Sequence, residues 1–387
     1  DNKPPEFVYG RKLRMDLYVN DITFQRMLDA LDTLNSAEGS LKKLREKLLG
    51  ITIPDFDKQP EIEFSNQNLN KSQQKAVKSA LSANDFFLIH GPPGTGKTMT
   101  AIEILEQAAD KKQKILATAD SNTAIDNIVE RLANRGLNVL RIGHPARVNP
   151  VLRNHTLDYL IEKNSKYEKA SQLRKEAHQL LEEQENYTHP SGRWRRGMKN
   201  EQIINLAQQD RGNRGVPANK IKEMSKWLKL QEKIDQLFNQ IDKLESEAVE
   251  ELITNSDVVC TTNSTAGSDI LEEKYFDLLL IDEATQATEP SALIPLVKAE
   301  KIILAGDHKQ LPPTILNEKA AKKGLAKSLF ERLLSIYGSD IKQMLTVQYR
   351  MNKDVMNFAS QEFYDGQLVA DNQVENWSLK DLELNLP

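Results

Sequence analysis

From Phe86 to His90 the chain is apolar; it then breaks into Gly91-Pro92-Pro93-Gly94-Thr95-Gly96 and ends in Lys97-Thr98. Glycines at that spacing let successive backbone N–H groups curl around an anion, and a helix starting near Lys97 points its positive end at the same place. Gly-x-x-x-x-Gly-Lys-Thr is the pattern of a loop that cradles nucleotide phosphates. In that chemistry Lys97 neutralises the β- and γ-phosphates and the Thr98 hydroxyl holds Mg²⁺. The expected ligands are therefore ATP and Mg²⁺.

Such a loop needs carboxylates opposite it. The apolar run Phe276-Asp277-Leu278-Leu279-Leu280-Ile281 ends in Asp282-Glu283. Adjacent carboxylates at the end of a buried strand suit a division of labour: Asp282 completes the metal shell and Glu283 acts as general base on the attacking water. A further strand, Lys301 to Gly306, leads into Asp307-His308-Lys309-Gln310-Leu311-Pro312-Pro313. Gln310 is neutral and able to bond both a phosphate oxygen and a water, which suits a sensor of the γ-phosphate; His308 reads as a loop residue. A last strand is expected at Met344-Leu345-Thr346-Val347, before Gln348-Tyr349-Arg350. Tyr349 either stacks on a base or packs, and Arg350 either reaches phosphate or is solvated.

Other positions carry two readings each. Asn70 and Gln73 form a capping-box pattern, while the Gln73 amide also suits the adenine edge. Ser121 and Asn122 follow the strand Lys114 to Ala119, where they either cap the next helix or help bind a second phosphate. Asp257 to Thr265 reads as a strand ending in hydroxyls.

The elements that must position these groups form an α/β alternation in a chain of 387 residues, long enough for two or three domains, with 39% hydrophobic content. Leu13, Met15, Leu17 and Val19 alternate as a lone strand. Asp21 is expected to cap a helix whose apolar face is Phe24, Met27, Leu28, Leu31 and Leu34; Leu41, Leu44, Leu48 and Leu49 make a second helix before Gly50, and a linker follows to about Phe64. From about Thr156 to Leu252 the alternation stops, and three-and-four spacing predicts two long helices in an antiparallel hairpin. Between them lies Arg193-Trp194-Arg195-Arg196, in a stretch, 190–229, with ten basic and three acidic residues, although the whole chain carries −4. Arginines around a tryptophan suit phosphate contact with base stacking, and a solvated charged tip is the plainer alternative. Cys260, the one cysteine, lies in an apolar run and reads as a buried small side chain. With no signal sequence and no long apolar stretch, a soluble intracellular protein, cytoplasmic or nuclear, is expected. Asp1 in place of methionine suggests a segment of something larger.

Assembled, these residues resemble the superfamily 1 helicases of the 5′→3′ subgroup, in the branch of the nonsense-mediated-decay helicase, senataxin and the immunoglobulin-mu-binding helicase. The likeness runs from about Ile22 to about Leu368. It rests on Leu69-Asn70-x-Ser72-Gln73, Gly91 to Thr98, Ser121-Asn122-x-Ala124-x-Asp126-Asn127, Asp282-Glu283-Ala284-x-Gln286, Gly306-Asp307-His308-x-Gln310-Leu311-Pro312-Pro313 and Gln348-Tyr349-Arg350-Met351, in family order. The resemblance implies that Gln73 binds adenine, Tyr349 stacks on it, Arg350 contacts the γ-phosphate, and Ser121-Asn122 and Thr262-Asn263 line a single-strand track.

It also implies a RecA-like, mainly parallel sheet. The division expected is an N-terminal strand remnant and helical stalk (1–64), a first ATPase part (65–150), a helical insertion with a basic tip (151–253) and a second ATPase part (254–387). Only a scrap of the branch's β-barrel fits the first 20 residues. The sequence ends where a second RecA-like domain would begin. If lacking that domain resembles losing an arginine finger, hydrolysis falls by roughly 10³ to 10⁵. The expected partners are single-stranded DNA or RNA and that second domain, with a monomer favoured and no membrane. Rival readings are an ATP-switched nucleic-acid clamp without unwinding and a non-catalytic interaction module.

Overall fold

A computed structural model describes residues 21–144 and 148–378; the alternating stretch at Leu13–Val19 lies outside them. Seven strands form one sheet: β1 (Phe86–His90), β2 (Ile115–Ala119), β3 (Val139–Ile142), β4 (Val258–Thr262), β5 (Phe276–Asp282), β6 (Ala299–Gly306) and β7 (Lys342–Met344). Their order is β3-β4-β2-β5-β6-β1-β7, and every pairing is parallel. Parallel strands need crossovers, which place helices on both faces, so both sides of the inner strands are buried and their sequences read as apolar runs. Phe87 and Ile89 enter one core with the helices Lys71–Ser82, Lys97–Asp110 and Asn122–Asn134. Phe86 and Leu88 enter the other, with Leu44, Leu48, Leu293 and Phe330.

Register decides where chemistry can gather. His90 is opposite Gly306, and Ala119 is opposite both Asp282 and Thr262. The strand ends that carry the glycine loop, the acidic couplet and the polar caps are therefore level along one edge, where open α/β sheets bind ligands.

Four expectations need correction. The helix Ile22–Asn35 forms, but Asp21 makes no side-chain cap. It packs through Met27, Ala30 and Leu34 against Glu289–Leu296 and its neighbours, which turns Phe24 (61% exposed) and Leu28 (55%) outward, with Leu31. Leu49 is likewise exposed, lying beyond the helix Gly39–Leu48. The strand expected at Met344–Val347 is split: β7 ends at Met344, and Val347-Gln348 (β8) pairs instead with Val369-Ala370 (β9). β3 was not expected.

β3 and β4 are sheet neighbours, so everything between them is one enlarged crossover. Its two long helices, Ser165–Gln184 and Ala218–Asn255, are antiparallel as predicted. Lys166 lies 3.4 Å from Glu247, Arg174 lies 2.6 Å from Glu245, and Gln184 donates to the Trp227 carbonyl. The tip has more order than a charged loop: a helix at Asn200–Gln208 and a small core of Met198, Ile203, Val216, Ile221 and Met224. Among the described residues no helix is long and apolar enough to cross a membrane.

Candidate functional site

The loop after β1 takes its shape from glycine. Gly94 and Gly96 have φ of 76° and 78°, a region that a Cβ disfavours. A Cβ on Gly94 would fall 2.6 Å from Arg350 Cβ, and one on Gly96 would fall 2.4 Å from Gln73 Nε2. The loop is thus clasped between residues from two distant segments. Thr95 turns it from inside, its hydroxyl donating to the Pro92 carbonyl at 2.7 Å. Lys97 opens the helix Lys97–Asp110, whose N-cap is Gly96 with no side-chain cap, so the first-turn N–H groups are left for an anion.

Across the cleft, Lys97 Nζ lies 2.7 Å from Glu283 Oε2. Asp282 is buried, and the Glu283 N–H donates to its Oδ1 at 2.9 Å. Burial pushes the Asp282 carboxyl above its ordinary range, the Lys97 cation opposes this and the Glu283 charge adds to it. A divalent cation would reverse that balance. Thr98, in the first turn of the helix Lys97–Asp110, offers a hydroxyl and Asp282 a carboxylate, hard oxygens of the kind Mg²⁺ takes. Thr98 and Asp282 therefore fit the metal. The cleft is about 540 Å³ and is lined by the loop, Glu283, Gln310, Tyr349, Arg350 and Arg131. Arg131 was missed by sequence reasoning. It ends a helix whose other end carries the polar signal, and nothing local marks it.

Of the two readings of Gln73, the structure shows the capping one. Gln73 is buried and completes the capping box: Oε1 accepts from the Asn70 N–H and Asn70 Oδ1 accepts from the Gln73 N–H. Its Nε2 also donates to the Thr95 carbonyl at 3.0 Å, tying the cap to the phosphate loop. Tyr349 bridges the same parts, its N–H donating to Gly94 O and its hydroxyl accepting from Asn70 Nδ2, both at 2.9 Å. Arg350 is exposed at the mouth. Gln310 Nε2 donates to Asp307 Oδ2 at 2.6 Å.

The residues expected to touch nucleic acid divide. Ser121 and Thr262 cap helices, accepting from the N–H of Ala124 and Thr265. Asn122 Oδ1 accepts from the buried Arg141, which also pairs with Asp126 at 3.1 Å. Asn263 is 0% exposed, with its Nδ2 3.5 Å from Ser291 Oγ, so in this structure its side chain does not face outward. At the tip, Trp194 is half-buried against the small core with Arg193 5.2 Å over its ring. Arg195 bonds Asn200. Arg196 and Arg214 each donate to the other's backbone carbonyl at 2.7 Å. Two of the four tip residues, Arg195 and Arg196, are therefore engaged in closing the loop, a role that composition could not reveal.

Comparison with known proteins agrees with this geometry. Residues 68–318 match a family model described as an AAA domain, and residues 325–386 match a second model of the same description. An uncharacterized ATP-dependent helicase of Methanocaldococcus jannaschii is 45% identical over 98% of this chain and 57% of its own length. The DNA-binding protein SMUBP-2 of Mus musculus is 38% identical over 94% of the chain and 34% of its own. The ATP-dependent helicase NAM7 of Saccharomyces cerevisiae is 35% identical over 89% and 31%. The chain thus spans between about three-tenths and three-fifths of these relatives. With the motifs in family order along one edge of a parallel sheet, the chain belongs to the superfamily 1 helicases, in the branch of the nonsense-mediated-decay helicase, senataxin and the immunoglobulin-mu-binding helicase.

Proposed function

We propose that this chain is the nucleotide-binding part of an intracellular ATP-driven helicase that moves 5′→3′ on single-stranded DNA or RNA. The observation that carries the reading is the 2.7 Å approach of Lys97 to Glu283 across the cleft, which brings the phosphate-binding cation and the acidic couplet to one place. In this reading Lys97 and Arg350 neutralise the phosphates, Gln73 and Tyr349 hold the adenine, and Gln310 orients the water from which Glu283 takes a proton. Thr98 and Asp282 would hold Mg²⁺, which when bound offsets phosphate charge. Ser121, Asn122 and Thr262 border the strand track, with Asn263 beneath it, and the tip around Arg193 adds an outer contact. Residues 65–150 and 254–387 form the ATPase, 151–253 the arm and 1–64 the strand remnant and helical stalk. The polarity and the need for a second RecA-like domain rest on the family branch.

The test is ATP hydrolysis with and without single-stranded DNA or RNA, followed by unwinding of duplexes with 5′ or 3′ overhangs. The chain alone should turn over slowly, and joined to a second RecA-like domain it should respond to polynucleotide. Lys97→Ala should abolish turnover in both. A two-domain protein that no polynucleotide stimulates would refute the helicase reading.

A further inference from the structure

Behind the phosphate loop lies a buried polar group that the reaction as described does not use. His90 is the last residue of β1, immediately before Gly91; Asp307 follows β6; and Tyr364 follows the helix Lys353–Phe363. They are 3%, 1% and 4% exposed. Asp307 is their centre. Its Oδ1 accepts from His90 Nε2 at 3.0 Å and from the Lys309 N–H at 3.1 Å. Its Oδ2 accepts from Gln310 Nε2 at 2.6 Å and from the Tyr364 hydroxyl at 2.8 Å. The Asp307 N–H in turn donates to Thr285 Oγ1 at 3.2 Å, two residues past the acidic couplet.

His90, Asp307 and His308 offer ligand atoms within 4.8 Å of one another, the spacing of a metal cluster. Four donors already occupy the Asp307 oxygens, however, and the hydrogen bonds from His90, Gln310 and Tyr364 outweigh burial and hold its carboxyl down at about 2. A cation would have to displace those donors. The group is better described as a closed hydrogen-bond network in which each oxygen of one carboxylate is shared by two donors.

That sharing has a consequence. One oxygen takes a hydrogen bond from Gln310, which lines the nucleotide cleft, and another from Tyr364, at the far end of the segment that begins with Tyr349 and Arg350. Two donors on one oxygen each receive less of its charge, so strengthening one bond weakens the other. We propose that Tyr364 is a positioning residue: through Asp307 it sets how freely Gln310 can leave its resting bond for a γ-phosphate, and so links the helix Lys353–Phe363 to the nucleotide site. With the Tyr364 hydroxyl removed, Asp307 holds Gln310 more firmly and the cleft discriminates less between tri- and diphosphate. This rests on the reading of Gln310 as the γ-phosphate sensor.

The experiment is calorimetric binding of Mg-ADP and of a non-hydrolysable Mg-ATP analogue to the wild-type chain, Tyr364→Phe, Gln310→Ala and the double variant. Tyr364→Phe should lower the analogue-to-ADP affinity ratio about 3- to 10-fold, the range of one hydrogen bond's coupling. ADP affinity should stay within about twofold, because ADP has no group for Gln310 to meet. In the Gln310→Ala background the same change should do nothing further. Asp307→Asn, which keeps the side chain's shape and removes its charge, should instead raise the ratio, because Gln310 then leaves a weaker resting bond, and thermal melting shows whether each variant is folded. A folded Tyr364→Phe protein with the wild-type ratio, or one whose ratio falls equally with and without Gln310, overturns the proposal while leaving the nucleotide site standing. Wild-type protein that binds neither nucleotide overturns the site and the relay together.

Discussion

Glu283 has a φ of 50°, in the left-handed region that a residue with a Cβ seldom occupies. The chain turns there so that Asp282 stays buried while Glu283 reaches Lys97, and local strain of that kind persists where the surroundings enforce it. Glu283→Gln keeps the shape and removes the base. Turnover should fall by roughly 10² to 10⁴ with nucleotide affinity nearly unchanged, measured as single-turnover hydrolysis beside equilibrium binding. His308 makes a different prediction. Burial pushes its imidazole down from 6.5 to about 4, with His90 and Lys309 adding to the effect. The folded state therefore stays unprotonated where the unfolded chain takes up a proton, and stability is lost as pH falls from about 6.5 to about 4. His308→Gln should flatten that decline by on the order of 1 kcal/mol, a figure reduced for its partial exposure, read from urea melts across the interval. Asp307 acts at lower pH: its contribution is complete above about 4 and is lost as pH falls to about 2. At this scale the sequence was legible wherever a site residue stands at the end of an apolar run, as Lys97, Asp282 and Gln310 do. His90, Tyr364 and Arg131 were not, because each takes its meaning from a partner far along the chain.

Elements were legible for the same reason and failed in instructive places. β1, β2, β5 and β6 are buried on both faces, so composition alone marks them. β3 is Val139-Leu140-Arg141-Ile142, and a charged residue in four hides the run. Arg141 is 0% exposed and satisfied by Asp126, Asn122 and the Ile142 carbonyl, while Asp126 Oδ2 also accepts from the Asn149 N–H. One ion pair thus joins the edge strand, the helix Asn122–Asn134 and the start of the crossover. Arg141→Met leaves Asp126 buried and unpaired, which should cost about 3 to 5 kcal/mol, read as a lowered denaturation midpoint with an unchanged slope. The stalk helix shows a different limit. Its apolar residues wrap too far round for the pattern to say which stripe packs, and the contact with Glu289–Leu296 chose Met27, Ala30 and Leu34. At the split last strand, Leu345 is buried, its N–H bonding the His90 carbonyl. The chain leaves the sheet there to carry Tyr349 over the phosphate loop, and no local propensity encodes that.

For the molecule as a whole, the basic excess of the tip is a claim about salt. Arg193, Lys199 and Arg211 are exposed, and replacing all three with glutamine should reduce the slope of log affinity against log salt for a single strand by roughly 2, with Mg-ADP affinity unchanged. An unaltered slope would mean that these charges only solvate the tip. The tip's reach comes from the crossover described above. The β3 and β4 starts are latched together by Asn138, whose N–H and side-chain amide donate to Asp257 and the Asn255 carbonyl. From that margin rises the helix Ala218–Asn255, 38 residues and so roughly 57 Å long. A strut of that length is a lever. A tilt of about 10° at its root, small enough to leave the sheet's ladder intact, carries the far end through roughly 10 Å, the span of a few stacked bases.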